Sequence, residues 1–81
     1  MDNTFKSAEE LGSFIREQRV SQELHMYDIE ELTGVVISTI SKLENGKTAS
    51  PSIFVLQEIL GVLGYDIEYK VTKRGENNEC N

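Results

Sequence analysis

Residues 28–47 read DIEELTGVVISTISKLENGK. Ile29 and Leu32 stand three apart, on one face of a short helix. Thr33-Gly34 interrupts that face, and Gly34 is free to take the positive φ that a sharp helix stop requires. A second apolar face follows at Ile40 and Leu43, with Val36 or Ile37 one turn earlier. Asn45-Gly46 closes it, a strong terminating pair. The stretch is two helices of about two turns each around a glycine turn, elements that a helix-turn-helix shares with any other αα-corner.

Upstream, Ser7-Ala8-Glu9-Glu10 has the S-x-x-E spacing of a capping box. It predicts a first helix with Ser7 as N-cap, Glu10 reaching back to the cap amide, and an end near Gln22. Leu11, Phe14 and Ile15, with Gln18 or Arg19 a turn later, share its core face. Gly12 inside it costs roughly 1 kcal/mol against alanine, and a close approach by another helix would account for it. A second helix is expected from Met26 to Thr33, with Asp28 suiting its dipole. His25 stands where a Ser or Thr cap is usual; it has no second ligand nearby and reads as a capping or surface residue. The third helix runs from Ile37 to Glu44, with Ile40 and Leu43 inward and Ser38, Thr39, Ser41 and Lys42 outward.

Downstream, Ser50-Pro51 predicts the start of a fourth helix, Pro51 to about Leu63, stopped by Gly64. Ile53, Leu56, Ile59, Leu60 and Leu63 form its core stripe, and Phe54, Val55 and Val62 exceed what one stripe needs. From Tyr65 the period becomes two: Tyr65, Ile67, Tyr69 and Val71 alternate with Asp66, Glu68, Lys70 and Thr72, a strand pattern. A single strand leaves its backbone groups unpaired, and no other segment alternates, so its partner is expected in a second chain. Residues 1–6 are expected to be flexible, and 73–81 a disordered tail.

With 81 residues the chain is one small domain, expected to bury only about 60% of its unfolded surface and therefore to benefit from association. Hydrophobic content of 38% and charged content of 27% suit a globular domain. No apolar run reaches the ~18 residues of a membrane span, and no signal peptide is legible, so a cytoplasmic protein is expected. The lone Cys80 has no intrachain disulfide partner and sits in the polar tail. One histidine, one cysteine, no phosphate-cradling glycine loop and no zinc spacing leave no enzyme constellation, no metal site and no cofactor to expect. The net charge of −6 is the wrong sign for a nucleic-acid binder taken globally. Its distribution is uneven. Glu23, Asp28, Glu30 and Glu31 concentrate acid on and before the second helix, whereas Lys42 and Lys47 outnumber Glu44 between Val35 and Gln57.

Gly34, Ser38-Thr39-Ile40-Ser41 and Leu43-Glu44-Asn45-Gly46-Lys47 closely resemble the XRE family of helix-turn-helix proteins, the Cro and phage-repressor type. The likeness extends through Leu11, Ile15, Arg16 and Arg19 upstream and Pro51, Leu56, Ile59, Leu63 and Gly64 downstream, covering residues 7–64. It implies a mainly α fold of four helices and a sequence-specific, homodimeric transcriptional regulator, a repressor by type, with the third helix in the major groove of an operator. It also implies that Ile37, Ser38, Thr39, Ser41, Lys42, Asn45, Gly46 and Lys47 face DNA, and that Arg19 and Glu44 form an ion pair pinning the first helix to the third.

The sequence departs from the family pattern at four places. Met26 replaces a phosphate-contacting glutamine. Glu30 replaces an alanine packed on the recognition helix, so its charged head is expected to escape to solvent. Val36 and Ile37 stand where a polar cap and a base-reading side chain are usual, and they cannot make bidentate hydrogen bonds to guanine or adenine. Four helices followed by one strand further resemble the HipB-type antitoxins. That likeness implies that strand 65–72 pairs across a dimer through Ile67, Tyr69 and Val71, laid on Phe54, Val55 and Val62. It also implies an alternative function, an antitoxin or interaction module that holds a HipA-type toxin and binds DNA weakly.

Overall fold

The computed structural model describes residues 4–48, 50–69 and 71–73. Four helices follow in order: α1 (Ala8–Ser21), α2 (Met26–Thr33), α3 (Ile37–Glu44) and α4 (Ile53–Val62). α3 lies against both α1 and α2, and α4 packs on α2. Ile15, Ile29, Ile40, Leu43, Ile59, Leu60 and Leu63 are buried between them, drawn from all four helices and the residue that ends α4. At roughly 25 cal/mol per Å² of apolar surface, this cluster is the main source of stability.

The two ends of α1 and the end of α2 have local causes. Ser7 Oγ accepts from the Glu10 amide at 3.1 Å, as a capping serine does. The Glu10 carboxylate accepts from the amide of Lys6 at 2.9 Å, one residue before the cap amide expected of it. α1 ends with Glu23 in the left-handed region (φ 59), while the Leu24 amide returns to Arg19 O at 3.0 Å. That is the glycine position of a Schellman stop, filled here by an L-residue. Gly34 (φ 84) ends α2, its amide donating to Glu30 O at 2.7 Å. Thr33 stiffens this turn: its hydroxyl donates to Ile29 O (2.7 Å) and accepts from the Val35 amide (3.0 Å).

α4 begins two residues later than Ser50-Pro51 predicts. Ser52 is the N-cap, with its Oγ facing the Val55 amide at 3.5 Å. Two serines flank the proline, and the second, Ser52, takes the capping role.

After Gly64 the described chain is neither helix nor strand and forms no β-ladder among the described residues. The alternation survives in its first half: Tyr65 and Ile67 pack against the core, with Asp66 and Glu68 exposed. Tyr65 meets Phe14 edge-on at 5.1 Å, Phe14 meets Phe5 at 5.1 Å, and the Tyr65 hydroxyl donates to Gln18 Oε1 at 2.9 Å. Phe5 is thereby held on α1, although residues 1–6 are expected to be loose from sequence. Tyr69 and Val71 are exposed at 54% and 97%. Residues 1–3, Lys70 and 74–81, with most of the expected tail, lie outside the described residues.

Candidate nucleic-acid interface

α3 is held from behind and open in front. Ile40, Leu43 and Glu44 are buried, while Ser38 and Lys42 are exposed and Thr39 and Ser41 half-buried. Beyond its end, Asn45 and Lys47 are exposed, and Asn45 Nδ2 donates to Ser41 Oγ at 3.4 Å. Gly46 takes φ 71, and a Cβ there would stand 2.5 Å from Glu9 Cγ, so both its conformation and its contact with α1 require glycine. The outward edge of α3 and its following turn thus carries two lysines, an amide and hydroxyls, with no acidic side chain among its exposed groups.

The back of α3 is fixed by charge and by close approach. Arg19 Nε donates to Glu44 Oε2 at 2.7 Å and Nη2 to Oε1 at 3.0 Å, a two-pronged pair. Its Nη1 donates to Leu24 O at 2.8 Å, so the guanidinium also ties down the α1–α2 link. The two side chains are only 12% and 1% exposed. The hydrogen bond to Glu44 raises the Arg19 pKa above its ordinary value; burial opposes this and the Glu44 charge adds to it. One helical turn before Ile15, Gly12 lets α1 reach the α3 backbone: a Cβ on Gly12 would lie 2.1 Å from Leu43 O.

The front of α3 is built differently from the sequence expectation. Its N-cap is Val36, which has no side-chain acceptor. Glu30 supplies one from α2: its Oε2 accepts from the Ile37 amide at 3.3 Å. The head of Glu30 reaches the surface, as expected, and there turns toward α3, because an uncapped helix N-terminus offers it a donor and a favourable dipole. Val36 and Ile37 are 50% and 39% exposed, surface residues rather than core. Met26 instead packs partly against the core. At the α2 N-terminus the exposed groups are His25 and Tyr27, their rings stacked at 5.0 Å and 5°.

The helix-turn-helix family model HTH_3 matches residues 15–70, which span α1 from Ile15 through all of α4. The chain is an XRE-type helix-turn-helix protein. A search of curated proteins returned no match. The family is one of DNA-binding transcriptional regulators, and α2 and α3 are the paired helices of the helix-turn-helix in this chain. Among the described residues there is no cluster of metal-ligating side chains and no helix long and apolar enough to cross a membrane.

Of the sequence-derived residues, Ile37, Ser38, Lys42, Asn45 and Lys47 are exposed on α3 and its following turn, whereas Thr39, Ser41 and Gly46 are half-buried, Gly46 against Glu9 of α1. Arg19 and Glu44 meet behind α3. Ile67, Tyr69 and Val71 do not share one environment: Ile67 is partly buried on the core, and the other two are exposed. Sequence reasoning missed the Glu30 cap; the signal was a non-capping valine before α3 with an acid seven residues ahead of Ile37. It also missed Gln22, whose Nε2 donates to Leu63 O at 2.9 Å and ties α1 to the end of α4.

Proposed function

We propose that the protein is a cytoplasmic homodimeric repressor that places α3 in the major groove of a pseudo-palindromic operator. The observation that carries this is the edge Ser38–Lys42–Asn45–Lys47, polar and basic, on a helix held rigidly by the buried Arg19–Glu44 pair. Ser38 and Lys42 reach into the groove, Ile37 meets a thymine methyl, and Asn45, Gly46 and Lys47 meet phosphate. Two-fold pairing of the segment 65–72 would give it the backbone partners of a strand. It would also cover Tyr69, Val71 and the apolar start of α4, where Ile53 and Phe54 are 49% and 78% exposed. Half-sites then fall about 34 Å apart.

The test is binding to the protein's own promoter as a function of salt. Lys42→Ala and Lys47→Ala are each expected to weaken binding and to reduce the magnitude of the log–log salt slope by about 1 per lost phosphate contact. Absence of binding at low salt would refute the reading. One observation favours a second function, an interaction module or antitoxin: Leu32 on the acidic α2 and Val36 and Ile37 just after it are exposed, at 65%, 50% and 39%. Capture of a toxin chain with no measurable operator binding would select it.

A further inference from the structure

We propose that Glu30 is a specificity-determining residue of the DNA interface, its carboxylate accepting from the exocyclic amino group of a cytosine and turning guanine away. The inference rests on the reading of α3 as the major-groove helix. In that docking mode the N-terminal residues of the recognition helix approach base edges. Here the first two positions, Val36 and Ile37, are exposed and apolar and offer no hydrogen bond from their side chains. The polar group at that turn comes from α2, where Glu30 Oε2 accepts from the Ile37 amide at 3.3 Å.

Glu30 is half-buried, and its hydrogen bond to the Ile37 amide lies at the surface, where the carboxylate is open to a ligand. A carboxylate has about four lone-pair sites, and among the described residues the Ile37 amide is the one donor bonded to it. Acceptor capacity therefore remains at the front of α3. In the major groove cytosine offers only its N4 amino donor, whereas guanine offers the two acceptors N7 and O6, which a carboxylate repels. Adenine is intermediate, since its N6 donor lies beside the acceptor N7. Ile37, next to Glu30, suits the C5-methyl of a neighbouring thymine. A helix that lacks the usual polar residues at its first positions thus reads through a side chain borrowed from its partner helix.

The experiment is selection from a randomised duplex library with the full chain and with Glu30→Gln and Glu30→Ala, followed by titration of the enriched sites. The parent is expected to enrich cytosine at one position per half-site, with at least about tenfold discrimination against guanine there. Glu30→Gln keeps an acceptor for the Ile37 amide and gains a donor, so its preference should move to adenine, which glutamine reads at N6 and N7. Glu30→Ala should flatten that position alone, leaving the preferences set by Ser38 and Lys42. Should the alanine variant fail to fold, the base change in the glutamine variant decides the matter. Parent and Glu30→Gln proteins that select identical sites, or a parent that selects guanine there, would overturn the proposal while leaving the major-groove reading intact. Failure of the parent to enrich any duplex would overturn that reading and this proposal with it.

Discussion

Replacing Gly12 by alanine should destabilise the protein, against the intrinsic preference of a helix for alanine. In an open helix position that change gains roughly 0.5–1 kcal/mol, because glycine loses more backbone freedom on folding. At Gly12 the added Cβ would lie 2.1 Å from Leu43 O, 3.1 Å from Leu43 C and 3.2 Å from Glu44 O. The obstacle is backbone, so no side chain can rotate away; α1 and α3 must separate by about 1 Å to restore ordinary contact. Overpacking of this kind costs about 1–3 kcal/mol, occasionally more. It would also pull the Arg19–Glu44 hydrogen bonds off their distances, because the displaced Leu43 carbonyl adjoins Glu44. A net loss of about 2 kcal/mol follows, or roughly 8–16 °C in Tm for a domain of this size. Gly61, in α4, is the control: it is exposed and nothing lies within 4 Å of its Cβ, so Gly61→Ala should be neutral or stabilising. Thermal and urea denaturation followed by circular dichroism give both values. A Gly12→Ala protein as stable as the parent would show that α1 and α3 do not approach this closely.

Three further substitutions test other contacts. Glu44→Ala leaves the Arg19 guanidinium 12% exposed with its carboxylate gone, and should cost about 3–5 kcal/mol, enough to unfold much of a marginal domain at 37 °C; an unchanged melt would mean the pair is superficial. Glu23→Gly relieves a left-handed residue with an exposed side chain and should stabilise by roughly 1 kcal/mol in the same assay, with no gain showing that the φ of 59 is not retained in solution. Tyr69→Asp with Val71→Asp changes side chains that are exposed in the single chain, so the monomer fold should persist while sedimentation velocity reports half the mass. A double variant that still sediments as a dimer would refute the strand-mediated interface.

The sequence by itself determined the helices of the motif and the family. α2 and α3 have the boundaries legible in the apolar spacing and the stops at Gly34 and Asn45-Gly46, because such short-range signals act within one or two helical turns. Gly12 could be marked as a close approach, since a helix-interior glycine has a local cost that something must offset. Its partner could not be read, because Leu43 is 31 residues away. The same distinction separates the two ends of α3. The resemblance implied Arg19 and Glu44 behind it, but the front broke the pattern, and no local rule says where a misfit glutamate goes. Tertiary packing decided that. α2 and α3 lie closely enough for Glu30 to meet an uncapped amide at the surface, and the dipole and the missing cap favour it there. The start of α4 was not legible either, since two serines stand on either side of one proline with nothing local to choose the first over the second. Whether 65–72 becomes a strand is fixed by neither the sequence nor the isolated chain, since a strand exists only where another backbone satisfies its hydrogen bonds.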